Sequence, residues 1–330
     1  MNGHSSPADD HTVPVSPAGT GVGRVWWCAQ RSPVVQRRGR LGTESVAHPA
    51  RMLPDLAAHA IAAYSRPGDL VLDPMCGIGT TLVEAVHARR RAIGVELEAR
   101  WARVSTDNLA LAESTPPDTA TGTAEGSGAA GSGGRVLRGD ARDVDHLLRR
   151  ECPGAVGDVA LVLTSPPYGA GVHGQVTGTT TGVSKHDHHY APTRHSGNLA
   201  HTPGRLAENM TRILAGSARV LRPDGRIVVV ARPWRRHGVL VDLPGQVTAC
   251  AAAAGLVLVD RAVAVLARLD DPTDHRHPEH DGAAGARLVV RASFFARHNL
   301  LRARAAGDPV HLIAHEDVYV FAHPREAGLR

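Results

Sequence analysis

Two short stretches hold residue types at spacings that can do chemistry. In "VLDPMCGIGTT" (71–81) an apolar run ends in Asp73 and Pro74, and Gly77 and Gly79 follow before Thr80 opens a helical pattern. Glycines in such a turn take positive φ and let a ligand approach the backbone, and the helix start adds the positive end of its dipole. A second acid, Glu96 in "AIGVELE", lies 19 residues beyond Gly77, a distance at which an acid binds ribose hydroxyls in nucleotide folds. The turn is G-x-G without the third glycine of a pyrophosphate site, so a nucleoside without phosphates suits it better than a dinucleotide. No hydride-transfer site is evident, which disfavours a dehydrogenase.

The second stretch is "LVLTSPPYG" (161–169), where a strand-like run stops at Ser165, Pro166, Pro167 and Tyr168. The prolines fix φ and remove two backbone donors, leaving carbonyls free to accept. Ser165 offers a hydroxyl and Tyr168 a ring able to stack. Together they read as a receptor for a planar group bearing an amine. Asp140 in "RGDAR" is a third acid at a strand end.

The elements that position these residues alternate. Short apolar strand runs end at Asp73, Glu96, Asp140 and Ser165, and helical periods such as "MLPDLAAHAIAAYS" and "TTLVEAVHARR" separate them. That alternation predicts an α/β fold, a doubly wound and mostly parallel sheet in which ligands gather at the carboxyl ends of the strands. "LVLVDRAVAVLARL" and "HEDVYVFAHP" close the pattern as long strands. Residues 1–23 read as a disordered tail and 24–326 as one catalytic domain, with flexible insertions at 113–134, 169–204 and 270–285.

Here a resemblance enters. "LDPMCGIGTTLVEA" resembles the S-adenosylmethionine motif of amino-group methyltransferases, "HPARMLP" is similar to the H-P segment that precedes it, and "SPPY" resembles the turn of DNA methyltransferases acting on exocyclic amines. The resemblance implies a Rossmann-like class I methyltransferase with a seven-stranded sheet. It implies S-adenosyl-L-methionine as cofactor, held by His48, Pro49, Met52, Asp73, Pro74, Gly77, Gly79, Thr80 and Glu96, with Arg51 in the same segment and Asp140 near the adenine. Ser165, Pro166, Pro167 and Tyr168 would hold a base extruded from DNA. Family members with serine before the prolines tend to act on cytosine, so cytosine N4 is expected ahead of adenine N6, in a setting such as restriction-modification. RNA is the alternative, as in tRNA guanine-N2 methylation, although few residues precede the H-P segment to hold an RNA-binding module. A non-catalytic, cofactor-binding DNA-binding protein is the alternative of another class.

Composition adds bounds. The formal charge of +5 suits a nucleic-acid partner, yet Lys185 is the one lysine among 37 basic residues, which reads as a coding bias toward arginine. Arg287, Arg291, Arg297, Arg302 and Arg304 could meet phosphates or form a solvated helix face, and Phe294 and Phe295 read as core. Cys28, Cys76, Cys152 and Cys250 form no CxxC pair, and His186, Asp187, His188, His189 and His195 match no zinc spacing. No metal is expected, and that histidine-rich stretch reads as a mobile polar loop over the substrate. No apolar run approaches a membrane span, so a cytoplasmic location is expected.

Overall fold

The computed structural model describes residues 23–115, 133–166, 175–179, 182–186, 205–236, 239–270, 287–292 and 294–324. Eight strands form the main sheet: β1 (Val25–Trp26), β2 (Leu70–Asp73), β3 (Arg91–Glu96), β4 (Gly134–Arg138), β5 (Val159–Thr164), β6 (Leu221–Ala231), β7 (Val257–Val265) and β8 (His315–Ala322). Their order is β1-β7-β8-β6-β5-β2-β3-β4. From β4 to β6 all neighbours are parallel, and β8 runs antiparallel to both β6 and β7.

The strands are apolar on both faces because both faces are covered. All six residues of β5 and all four of β2 are buried. On one face lie α2 (Pro54–Tyr64), α3 (Thr80–His87) and α4 (Ala99–Ser114), which bring Leu56, Ile61, Leu82, Val83 and Leu109 onto the sheet. On the other lie α5 (Val144–Glu151), α6 (Leu206–Val220) and α7 (Leu243–Ala253), with Leu148, Ile213, Leu214 and Val247. Truncating one such buried leucine to alanine costs about 2–5 kcal/mol. The chain winds outward from β2 through β3 to β4, then returns to β5 and winds the other way. The switch point therefore falls between β2 and β5, where ligands bind in open α/β sheets.

Three expectations are corrected. The main sheet has eight strands, not seven. β1 is only two residues long, too short to show a period, and it pairs parallel with β7 through Val25↔Val263 and Trp26↔Ala264. The stretch read as one long strand from Leu256 breaks at Leu266. Beyond it, Ala267–Asp270 leaves the main sheet and pairs with Arg287–Val290. The insertion at 169–204 is not wholly irregular, since Gln175–Thr179 and Gly182–His186 pair as an antiparallel hairpin. The rest of that insertion, the tail at 1–22 and most of the other two insertions lie outside the described residues. Among the described residues no helix is long and apolar enough to cross a membrane.

Candidate active site

One cavity of about 380 Å³ runs along the carboxyl ends of β2, β3 and β5. Its floor is the turn between β2 and α3. Gly77 and Gly79 have φ of +52° and +82°, and a Cβ on Gly79 would stand 2.4 Å from Ser105 Oγ, so this turn demands glycine twice over. A Cβ on Gly77 would meet the ring of His48 at 3.2 Å. The H-P segment and the glycine turn, far apart in sequence, are thus in contact. The His48 ring is buried and packs edge-on against Trp101, and Ala50 N donates to its Nδ1.

The two acids of this half are wired to the backbone. Asp73 is 4% exposed and accepts three hydrogen bonds: Met75 N and Thr164 Oγ1 at Oδ1, both 3.0 Å, and Thr81 Oγ1 at Oδ2, 2.7 Å. Burial pushes its carboxyl up to about 6 while those three donors pull it down. Glu96 accepts Gly77 N at 3.0 Å on one oxygen and Glu98 N at 2.8 Å on the other, so it clamps the turn yet keeps lone pairs for hydroxyls. Burial pushes it up to about 7, against the pull of the Glu98 amide. Behind the turn the buried Asn108 donates to Ile78 O and Ser45 Oγ and accepts from Gly42 N.

Most of the expected cofactor residues meet at this cavity. His48, Pro49, Met52, Asp73, Pro74, Gly77, Thr80, Glu96 and Asp140 line it, as does Arg51. Gly79 shapes the turn without lining it. Asp140 reaches the wall, but Arg142 grips both its oxygens from Nε at 3.0 Å. Burial raises the Asp140 carboxyl, yet the Arg142 bonds outweigh it and hold it below the usual range. Of the base-binding four, Ser165 and Pro166 line the same cavity. Pro167 and Tyr168 lie outside the described residues, as does the histidine-rich stretch apart from the backbone of His186. Among the described residues no group of three or more potential ligands could hold a metal.

The remaining wall was not legible beforehand. Arg232 after β6, Arg291 and Glu316 also line the cavity, and Arg37 from α1 (Pro33–Arg37) lines it beside the H-P segment, donating to Arg51 O and Met52 O at 3.3 Å. Burial lowers Arg37 to about 10. Arg291, expected to meet phosphates or solvent, instead donates to the carbonyls of Ala29 and Gln30 at 3.0 Å. Arg297 and Arg304 likewise donate to Val290 O and Val310 O. Thr164 and Thr81 were missed although both sit inside the quoted motifs. A hydroxyl at a buried strand end or helix start was the available signal.

The residues fit a nucleoside cofactor on their own chemistry. Thr80 Oγ1 is buried on the cavity wall with no hydrogen-bond partner among the described residues, and Glu96 still has acceptor capacity. A cavity so built at the switch point of this sheet, with one reversed strand between β6 and β7, suits a nucleoside cofactor such as S-adenosylmethionine. Residues 4–107 match the family described as DNA methylase, the N6/N4 group. The match covers 104 of the 330 residues.

Curated relatives match stretches of 65 to 123 residues. A tRNA (guanine(10)-N2)-dimethyltransferase of Methanocaldococcus jannaschii is 32% identical over 123 residues, 37% of this chain and 30% of the relative. The DNA adenine methyltransferase YhdJ of Escherichia coli is 35% identical over 65 residues, 20% and 22% of the two chains. The orphan methyltransferase M.BamHII of Bacillus amyloliquefaciens is 32% identical over 79 residues, 24% and 30%. The chain thus spans under a third of the length of each.

Proposed function

We propose that this protein methylates an exocyclic amino group of a base in DNA, cytosine N4 ahead of adenine N6. The observation that carries the reading is the single hydrogen bond from Thr164 Oγ1 to Asp73 Oδ1. It joins the last residue of β5 to the cofactor turn, so that Ser165 and Pro166 open into the cavity that Gly77 and Glu96 floor.

When bound, S-adenosylmethionine supplies an electrophilic methyl group. The protein's part is to make a poor nucleophile adequate. An exocyclic amine has its lone pair delocalised into the ring. Ser165 Oγ and the Pro166 carbonyl, set at its two N–H bonds, draw the nitrogen toward sp³ and stabilise the positive charge that develops on it, and one N–H proton then leaves to solvent. Tyr168 stacks on the base. The buried ends of β5 and β6 keep water from competing for the amine.

The test is transfer of label from the cofactor to a DNA duplex, followed by digestion to nucleosides and mass analysis. Label in deoxycytidine supports the reading in full, and label in deoxyadenosine moves the target to adenine N6. Label in tRNA with none in DNA overturns the substrate class, and no transfer to either favours a cofactor-binding protein without catalysis. Ser165→Ala should lower turnover about 100-fold while cofactor affinity stays within twofold.

A further inference from the structure

Glu316 is an acid for which the chemistry above has no use. It stands at the start of β8, which pairs Asp317↔Ala231 with β6, so Glu316 lies beside Arg232 just past the end of β6. β6 in turn pairs Thr164↔Val229 with β5, and Ser165 follows Thr164. Ser165, Arg232 and Glu316 therefore occupy the ends of three neighbouring strands, and all three line the one cavity. Neighbouring strands are about 4.8 Å apart, so the backbones of Ser165 and Glu316 stand roughly 10 Å apart. With a short and a longer side chain reaching in from the two sides, the gap that remains is about the width of a base edge.

The neighbour on the same strand behaves differently. Asp317 is buried on the opposite face and paired with Arg261 at 2.6 Å. Among the described residues no hydrogen bond or ion pair is made by the Glu316 side chain, and Arg232 and His315 act on it by charge. Arg291 lines the same cavity from the outer hairpin, and the buried Cys28 feels the Glu316 charge from the segment after β1. A half-buried carboxyl on a ligand cavity can bond a ligand there.

We infer that Glu316 reads the Watson–Crick edge of the extruded base, donating as a carboxylic acid to the ring nitrogen beside the amine of cytosine or adenine, whose two N–H bonds Ser165 and Pro166 take. On both bases that edge sets one acceptor, the ring nitrogen, beside one donor, the amine. A protonated carboxyl offers the donor that the ring nitrogen needs. Burial raises the Glu316 carboxyl, against the pull of Arg232 and His315, which favours that form. Guanine sets two donors side by side and would call for the ionised carboxylate instead. The inference rests on the base-methylating reading of the site and narrows its substrate class.

The experiment compares wild type, Glu316→Gln and Glu316→Ala by kcat/KM on duplex DNA and by calorimetry with S-adenosylmethionine. Glu316→Ala should lower kcat/KM about 10- to 100-fold, as loss of a base-edge contact does, with cofactor affinity within twofold. Glu316→Gln, whose amide also presents one donor and one acceptor, should stay within about threefold of wild type. It should also lose the decline in kcat/KM that wild type shows as pH rises and Glu316 ionises. An alanine variant as active as wild type overturns the inference. A glutamine variant as poor as the alanine one overturns the carboxylic-acid pairing and points to a guanine-like edge. Should the alanine variant fail to fold, parallel pH profiles for wild type and the glutamine variant would still overturn it. If the wild type puts no label into DNA, the functional reading falls and this inference with it. If the wild type labels DNA and all three proteins behave alike, only the role of Glu316 is lost.

Discussion

The two halves of the cavity are built on opposite plans. On the β2–β3 side nearly every polar atom is engaged before a ligand arrives: Asp73 holds three donors, Glu96 two amides, and Asn108 three partners behind the turn. Past β5 the wall carries Glu316, whose side chain makes no hydrogen bond among the described residues, and Ser165 at the mouth. The first half has its geometry fixed in advance, which spares a ligand the ordering cost. The second leaves valences open for a substrate to fill. A fixed socket suits a constant cofactor, and an open one suits a group that must be recognised.

The most severe way to break this contrast is Asp73→Ala. It orphans Met75 N, Thr81 Oγ1 and Thr164 Oγ1 together, and should weaken S-adenosylmethionine binding at least about 100-fold and cost about 2–3 kcal/mol of stability. Calorimetry and chemical denaturation measure the two losses. Cofactor affinity equal to wild type would mean that the socket is not held by Asp73.

A smaller effect is expected from Gly79→Ala. The positive φ and the 2.4 Å approach to Ser105 Oγ should cost about 2 kcal/mol. Adding Ser105→Gly should recover part of that, because it removes the clash and leaves the φ penalty. Gly154→Ala is the control: nothing lies within 4 Å of its Cβ, and denaturation should place it within about 0.5 kcal/mol of wild type.

The mildest lever is pH. Glu96 rises from 4.5 to about 7 in the folded protein, so its protonated form is the one the cofactor-free fold favours. That contribution to stability is full below about pH 4.5 and is lost as pH rises toward and through 7. Asp73 acts in the same direction between 3.8 and about 6. The melting temperature of the cofactor-free protein should therefore fall between pH 5 and 7.5. Glu96→Gln should flatten the upper part of that fall. A melting temperature that climbs over the same range would contradict the raised carboxyls.

The fixed half was largely legible in the sequence and the open half was not, and the reason is physical. Asp73, Gly77, Gly79 and Thr80 act within one turn, where residue type and spacing state the backbone conformation directly. Glu96 follows after one helix, at a distance the βαβ unit sets. Ser165 and Pro166 close a strand whose apolar run is unmistakable. Glu316 and Arg232 have identities that mean nothing locally. They become neighbours only because β8 inserts between β6 and β7, a pairing between segments far apart in sequence. β1 was missed because two residues cannot display a period, and the break at Leu266 because apolar residues continue on both sides of it.

That insertion of β8 has a consequence for how the molecule comes together. Of the eight strands it is the last to be synthesised, yet it occupies an inner position, with β6 on one side and β7 and β1 beyond it on the other. Until it docks, β6 and β7 each present an unpaired edge, a template for wrong partners. The pairings it must make span about 60 residues to β7 and about 90 to β6, the long loop closures that slow folding. The parallel core from β4 to β6 with its helices can assemble ahead of this step. The cofactor socket can thus exist in a nascent chain before the wall bearing Glu316 does, and completion of the sheet is what turns a binding protein into one that can choose a substrate.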